Sequence, residues 1–473
     1  MTGYAELSLL ALVLGVGVFL SRRMQRGYID FLTPLLAVYF IHYVTRGFFD
    51  LYLPEWLELH PLVLRAPEAE ILEAVRITTI GVAVLIVSYL AVTRLRASEE
   101  APVTHLRSPT LPLATWLLCI GLAFRFALRL EADNVIALPA WAITPIETFG
   151  WAGLAGLFLA AFIWGRAPYG SYRTQAAVVA CGGALLILIV DARWAVSREA
   201  AMQPILVAVV GRLFAAGKGI RQIAIAAIIA GLPLFIWIGS MKTYSNYNLG
   251  EGAGYVESIP VVRQYMDVSW PQFVIASVQE RFHGLDSLIV CRAIVPGVQP
   301  YETGSVWQRV LLSAFVPRVF FPQKDVGWGV RFAVDFWGVS ERSRGTVSVG
   351  ISQLGLFYIF GGVWNCVSGM AILGAGLALL ATYLRRRRDV PGLMLFVLTA
   401  VTVCQIDRDL EGSLGGVLKL YAIFFLVMFF FKNRFSTLLF EGTPPVGRVP
   451  SNTWLPAPRE AEGSQRLQST RRS

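Results

Sequence analysis

Apolar runs close to the roughly 20 residues needed to cross a bilayer recur along this chain from Tyr4 to Phe431. No other feature restricts the fold as tightly, because within lipid an α-helix satisfies every backbone polar group inside its own segment. Composition agrees. Hydrophobic residues make up 55% of the sequence and charged residues 15%, whereas soluble domains carry about a quarter charged residues. A length of 473 residues alone would suggest about three soluble domains. The apolar runs predict instead one all-α, polytopic transmembrane helix bundle with a loop domain.

The direction of each run is set by where Arg and Lys collect, since short inner turns gather cations. The first run, about Tyr4 to Leu20, ends at Arg22, Arg23 and Arg26, which places the N-terminus outside. It lacks a basic leader, so a retained helix is expected rather than a cleaved signal. The second run, about Phe31 to Phe49, returns outward to a loop holding Glu55, Glu58, Glu68, Glu70 and Glu73. The third, Ala74 to Val92, descends to Arg94, Arg96 and Arg107. Runs four and five, Leu111 to Leu130 and Ile146 to Trp164, flank an outer loop and end at Arg166 and Arg173. Run six, Ala176 to Val190, is followed by an expected short outer turn from Asp191 to Gln203. Run seven, Pro204 to Ala216, reaches Lys218 and Arg221, and run eight, Gln222 to Gly239, rises to a long outer loop. Run nine, Gly361 to Leu384, meets Arg385 to Arg388, the strongest inner marker. Runs ten and eleven, Val390 to Ile406 and Gly416 to Phe431, enclose the outer turn Asp407 to Leu414.

About eleven crossings therefore satisfy the charge rule. The expected organisation is residues 1–239 as helices one to eight, 240–360 as the long outer loop, 361–432 as helices nine to eleven, and 433–473 as a basic, Pro-rich cytoplasmic tail without fixed structure. The second and seventh runs are the weakest and are candidates for half-helices. No internal repeat is visible, which argues against the paired repeats of many transporters. The net charge of +10 sits mostly in inner turns and tail, so it sets orientation and does not indicate nucleic acid. The five cysteines lie mostly inside apolar runs with no CxxC spacing, which disfavours a disulfide framework or a zinc site. No HExxH, P-loop or GxSxG occurs. Asp407-Arg-Asp409 has the spelling of a DxD pair, but it falls on the outer side, where nucleotide sugars are scarce. No metal or other cofactor is expected.

Positive charge near the outer ends of the runs is the main chemical signal. Arg46, Arg76, Arg125 and Arg129 all fall there, and Arg125 and Arg129, four apart, share one helix face. Each has a plain reading, snorkelling of its head to the interface, and a functional one, binding an anionic group. Arg212, at an inner end, reads as snorkelling only. The turn Asp191-Ala-Arg193-Trp-Ala-Val-Ser-Arg198-Glu199 sets two arginines on the outer side, against the orientation rule. Either they pair with Asp191 and Glu199 or they hold an anion. The long loop mixes cations and acids, with amphipathic stretches such as Trp270 to Val290 and Val306 to Phe321 that suggest helices lying on the membrane surface. Within Glu280-Arg281-Phe-His283-Gly-Leu-Asp286, the groups Glu280, His283 and Asp286 fall at helical spacings. His283, the one histidine of this loop, is either a hydrogen-bonded structural group or a proton acceptor. With no metal expected, arginine, whose planar fork fits phosphate oxygens, would supply the positive charge.

The stretch from Pro317 to Gly374 carries a family resemblance. It reads PRVFFPQKDVGWGVRF and then RGTVSVGISQLGLFYIFGGVWNCVSGMAILG. It resembles the end of the long outer loop of O-antigen polymerases, the Wzy-type polymerases of oligosaccharide repeat units. That pattern is a Pro-x-x-x-hydrophobic-Pro-x-Lys segment, a Gly-Thr, and a Gly-x-hydrophobic-Tyr-x-x-hydrophobic-Gly entry to a helix. Pro317, Pro322, Lys324, Gly345, Thr346, Gly355, Tyr358 and Gly361 take those places. Ser197-Arg198 resembles the family's Ser/Thr-Arg before an apolar helix, and Arg281 resembles the arginine that opens a helix in its loop. The resemblance covers about a third of the chain, and nothing before residue 176 aligns with it.

The resemblance implies a membrane-embedded lipid-linked glycosyltransferase (GT-C-like) architecture. It implies transfer of a growing glycan from a polyprenyl diphosphate carrier to a new lipid-linked repeat unit, at the outer face of a bacterial cytoplasmic membrane. Arg198 and Arg281 would bind diphosphate, with Arg125, Arg129, Arg193, Arg318 and Lys324 in support. His283, or else Asp286 or Glu280, would accept the proton of the acceptor hydroxyl. Expected partners are the lipid-linked oligosaccharide, membrane lipids, a chain-length regulator and a flippase, and no nucleic acid. Two rivals stay open: a ligase that moves finished glycan onto another acceptor, and a transporter of lipid-linked glycan.

Overall fold

The structure, a computed structural model, describes residues 2–24, 30–54, 66–96, 110–132, 135–194, 198–215, 282–315, 328–336, 350–387 and 390–404, with a few positions between 406 and 421. All regular elements among the described residues are helical. They are α1 (Thr2–Met24), α2 (Leu32–Tyr39), a π segment (Phe40–Thr45), α3 (Arg46–Tyr52), α4 (Glu68–Leu95), α5 (Leu111–Ala132), α6 (Ala140–Arg166), α7 (Ser171–Trp194) and α8 (Arg198–Ala215). After the undescribed stretch come α9 (Gly284–Ile294), α10 (Val306–Phe315), α11 (Trp328–Asp335), α12 (Gln353–Ile359), α13 (Gly362–Arg387) and α14 (Val390–Val403).

Six of these helices are long and apolar enough to cross a membrane: α1, α4, α5, most of α6, α7 and α13. The chain is thus an all-α protein with the helices of a multi-pass membrane protein. The second apolar run forms one continuous helical rod, since Phe40 and Arg46, which flank the π segment's junctions, both keep right-handed helical angles. The seventh run forms α8, with Pro204 inside it. The expected outer turn Asp191 to Gln203 is corrected. α7 continues through Trp194 and α8 opens at Arg198, so most of that segment is helix. Glu199-Ala-Ala-Met202 consists of strong helix formers that extend α8 upstream of its apolar run.

Glycine contacts give the relative directions of the helices, because a missing side chain marks where two backbones approach. Gly3 meets Tyr52 and Leu72, while Gly17 meets Leu36 and Ile86. α1 and α4 therefore run the same way, and the α2–α3 rod runs against both. α5 and α6 are antiparallel, with Gly121 against Gly153 and Gly156 against Leu118. α5 and α7 are parallel, Gly183 meeting Leu118 and the Tyr172 hydroxyl accepting the Leu111 N–H at 3.2 Å. α6 and α8 are parallel, and so are α4 and α13, where Gly81 lies against Met370 and Gly374 against Ser88. These are the relative directions that alternating crossings require.

The described part of Trp270 to Val290, from Phe282 on, packs inside the bundle and does not lie on a surface, which corrects the expectation for that part. In α9, Gly284 to Cys291 are all buried. Gly284 sits against His42 and Tyr43, Leu285 faces Gly47, and Arg292 reaches Glu70 and Glu73 at the start of α4. α9 therefore begins at the level of His42, ten residues or roughly 15 Å of helix rise below Tyr52, and climbs to the end of the bundle. α12 does the same: Leu354 lies against Gly81 and Gln353 against Tyr39, while Ile359 at its far end accepts the Glu302 N–H. Gly362, at φ 65, then reverses the chain into the descending α13. The surface expectation fares better for α10, where Val306 and Val310 are buried and Leu311 and Leu312 are about half exposed.

Ser352 caps α12, its hydroxyl accepting the Gly355 N–H at 3.1 Å, while its own N–H donates to Ser287 of α9 at 2.9 Å. Ser352→Ala is expected to cost about 1 kcal/mol, read as a lowered thermal midpoint of the detergent-solubilised protein.

Candidate functional site

Among the described residues, the deepest concentration of charge lies where α9 meets the π segment and α3. A π turn places an extra residue in the rod, which is a common device at functional sites. Here it brings His42, Tyr43 and, one turn on, Arg46 to the side that α9 covers. The Arg46 guanidinium grips Asp286 as a fork: Nε donates to Oδ1 at 3.2 Å and a terminal nitrogen lies 2.9 Å from Oδ2. Asp50, one helical turn along α3, approaches Nε at 3.3 Å. The side chains of Arg46, Asp286 and Asp50 are 1%, 4% and 6% exposed. Arg46 is consequently no snorkelling residue. It is held inside the bundle by two carboxylates, one of them 240 residues away in sequence.

Around this triad the packing is close. A Cβ on Gly355 would lie 3.0 Å from Ser287 Oγ and 3.1 Å from Cys291 Sγ, and one on Gly47 would lie 2.9 Å from Leu7. The ring of Phe282 meets His42 edge-on at 4.9 Å. His283 forms the N-terminal boundary of α9, its carbonyl accepting the Ser287 N–H at 2.9 Å. Tyr39 donates to Gln353 Oε1 at 2.9 Å, which ties the lower part of the rod to α12.

A second ionic layer lies above the triad. Arg292 donates to the Glu70 carboxylate at 2.8 Å and also pairs with Glu73, fastening the top of α9 to α4. Tyr358 adjoins this pair. Burial pushes its phenol above the ordinary range, Tyr301 adds to that, and the hydrogen bond with Arg292 opposes it. Beyond it, Glu302 accepts from Arg331 at 2.9 Å and from Arg309 at 3.4 Å. Both guanidinium groups lie by the buried Trp328 ring, at 4.5 and 5.5 Å.

The expected site residues are spread over several elements. Asp286 is in the buried triad and His283 is three residues before it at the α9 entrance. Arg125, half-buried in α5, donates to the Gly150 carbonyl of α6 at 3.1 Å, and Arg129 lies one turn further along the same helix. Arg193 lies in the last turn of α7 and Arg198 is the first residue of α8. Glu280, Arg281, Arg318, Lys324, Gly345 and Thr346 lie outside the described residues. Among the described residues, no cluster of His, Cys, Asp and Glu could hold a metal ion. Sequence reasoning missed the Arg46–Asp50–Asp286 grouping. The signal that could have exposed the burial of α9 is its series of small residues, Gly284, Ser287 and Cys291, at helical spacing, which marks close helix packing.

No family model, curated protein or solved structure matches this chain.

Proposed function

We propose that this chain is a membrane-embedded polymerase that transfers a growing glycan from its polyprenyl diphosphate carrier onto a new lipid-linked repeat unit. The observation that carries this reading is the packing of α9 on α12. The resemblance to O-antigen polymerases, carried by Pro317 to Gly374 with Ser197-Arg198 and Arg281, includes two places far apart in sequence, Arg281 just before α9 and Gly355 to Gly361. The helices that continue these stretches meet inside the bundle, with Gly355 leaving room for Ser287 and Cys291 and Tyr358 beside Arg292. The upper part of that contact, Tyr358 beside Arg292, lies among outward helix ends, where a lipid-linked diphosphate can be reached from the bilayer.

In this reading Arg198 and Arg281 neutralise the diphosphate leaving group, a contribution commonly worth about 10²–10³ in rate for each donor. Anchoring both substrates in one membrane orients them for attack, and His283 receives the acceptor hydroxyl proton. No metal is needed. The finer topology belongs to the same proposal: eleven crossings of a bacterial cytoplasmic membrane, N-terminus outside, C-terminal tail in the cytoplasm, and a GT-C-like architecture. A flippase would supply the lipid-linked units, and a chain-length regulator would act on the product.

One observation favours a rival. Helices that start inside a bundle, beside a buried charge cluster, are also how transporters of charged substrates are built. A deletion strain separates the readings. Loss of a polymerase leaves single lipid-linked units at the outer leaflet, loss of a transporter leaves them at the inner leaflet, and loss of a ligase strands long chains on the carrier. Complementation with Arg198→Ala or Arg281→Ala, at normal abundance, should collapse the ladder of surface glycan on a gel. A full-length ladder from both variants would remove these arginines from the site.

A further inference from the structure

Two carboxylates share one guanidinium in the triad of Arg46, Asp50 and Asp286, all three side chains being at most 6% exposed. With both carboxylates ionised the group carries one surplus negative charge. Burying an uncompensated ion costs several kcal/mol, and water, the usual remedy, has little access here.

Among the described residues, other charges near α9 are already engaged. On α4, Glu70 and Glu73 pair with Arg292 of α9, and Arg76 pairs with Glu6 of α1 at 2.8 Å. Among the described residues, the remaining titratable neighbours are His42 and Tyr43 of the π segment, Tyr52 at the end of α3, His283 at the α9 entrance, Cys291 on α9, and Tyr358 on α12. Of these only a histidine can supply a positive charge near neutral pH. His42 and His283 lie toward the α9 entrance, next to Phe282 and Gly284, whereas Asp50 lies toward the opposite, upper end of α3.

We infer that the Arg46–Asp50–Asp286 triad is a proton-binding site, taking up one proton from water on the α4 N-terminal side and thereby locking α9 against the π segment and α3. The Arg46–Asp286 fork uses both oxygens of Asp286, at 3.2 and 2.9 Å, while the Asp50 contact, at 3.3 Å, is the longest of the three. Asp50 is therefore the carboxyl on which the proton resides. The bond that forms is O–H on Asp50, and the proton returns to water when α9 is released. The site stands independently of the polymerase reading, since it concerns how the bundle closes and not what the bundle transfers.

Infrared spectroscopy of the full-length protein in lipid nanodiscs tests this directly. At neutral pH the wild type should show a protonated-carboxyl C=O stretch that shifts in deuterated water and disappears at high pH. Asp50→Asn should lose that band. The folded state also binds the proton more tightly than the unfolded chain, so the stability it contributes is full at acid pH and is lost as pH rises. The unfolding equilibrium should shift toward the unfolded form by up to about tenfold per pH unit in that window, and Asp50→Asn should flatten this slope. If Asp50→Asn does not fold, Asp286→Asn, which also removes the surplus charge, takes its place. Should neither accumulate, titration of the wild-type band decides alone. An absent band in the wild type, an undiminished band in the Asn variant, or an unchanged pH slope would each overturn the inference. So would an imidazolium signature that titrates in place of the carboxyl.

Discussion

Replacing Arg46 with Ala should destabilise the protein by about 3–5 kcal/mol, the usual cost of leaving a buried charge without its partner. The Asp286 carboxylate loses its cation, Asp50 loses its hydrogen-bond donor, and the α9 contact with α3 loses its ionic fastening. Arg46→Lys should recover only part of this, because an ammonium cannot reproduce the two-point fork on Asp286. The measurement is the thermal midpoint of detergent-solubilised protein, together with its abundance in membranes. A triple replacement, Arg46→Met with Asp50→Leu and Asp286→Leu, sharpens the interpretation. Buried ion clusters are often replaced by apolar groups without loss of stability. A stable but inactive triple variant would show that the charges are kept for function and not for the fold. If Arg46→Ala instead unfolds at the wild-type temperature, the triad is not closed in the membrane.

The second large effect is expected in α5. At Gly121 a side chain would run directly into the backbone of Gly153 on α6, and three residues along α6 a Cβ on Gly156 would lie 2.5 Å from the Ala114 carbonyl oxygen. Backbone cannot yield as a side-chain tip can. Gly121→Val should therefore separate the two helices and cost about 3 kcal/mol, the upper end of overpacking penalties. Gly182→Val on α7 is the matched control, since nothing lies within 4 Å of a Cβ there. It should stay within about 0.5 kcal/mol of the wild type. Limited proteolysis of membrane vesicles, alongside thermal unfolding, distinguishes the two variants.

The relative run of the helices was readable in the sequence because it obeys a local rule. Cations mark alternate ends of apolar runs, and each run carries its own marker, as Arg22 and Arg23 do for α1 and Arg94 for α4. The triad was not readable, because its members obey local rules that mislead. Arg46 sits at a run's end and so resembles a snorkelling residue. Asp286 falls in an amphipathic stretch of the long outer loop and so resembles a group on a surface helix. Only the contact between them, which no local pattern encodes, turns both into interior groups. The π segment is similarly silent, since Phe40 to Thr45 has the composition of an ordinary apolar helix. For the proposed site, the resemblance indicated Gly355 and Tyr358, and the fold supplies a physical reason for Gly355 in its contact with Ser287. It supplies none for Lys324 or Arg318, which lie outside the described residues.

The parallel packing of α4 against α13 also bears on how the protein is made. α4 ends at Leu95 and α13 begins at Gly362, a gap of roughly 270 residues, which takes on the order of 10–50 s to synthesise at about 5–20 residues per second. Throughout that interval the faces of Gly81 and Ser88 that will receive Met370 and Gly374 must be covered by lipid or by an insertion factor. The α1–α4 unit can assemble early, since α1, the rod and α4 are neighbours in sequence. Its wall toward α13 stays open to the bilayer until the last quarter of the chain emerges. Ribosome-stalled chains ending before residue 353 should therefore expose a cysteine placed at position 81 to a lipid-soluble thiol reagent, and the released full-length chain should protect it.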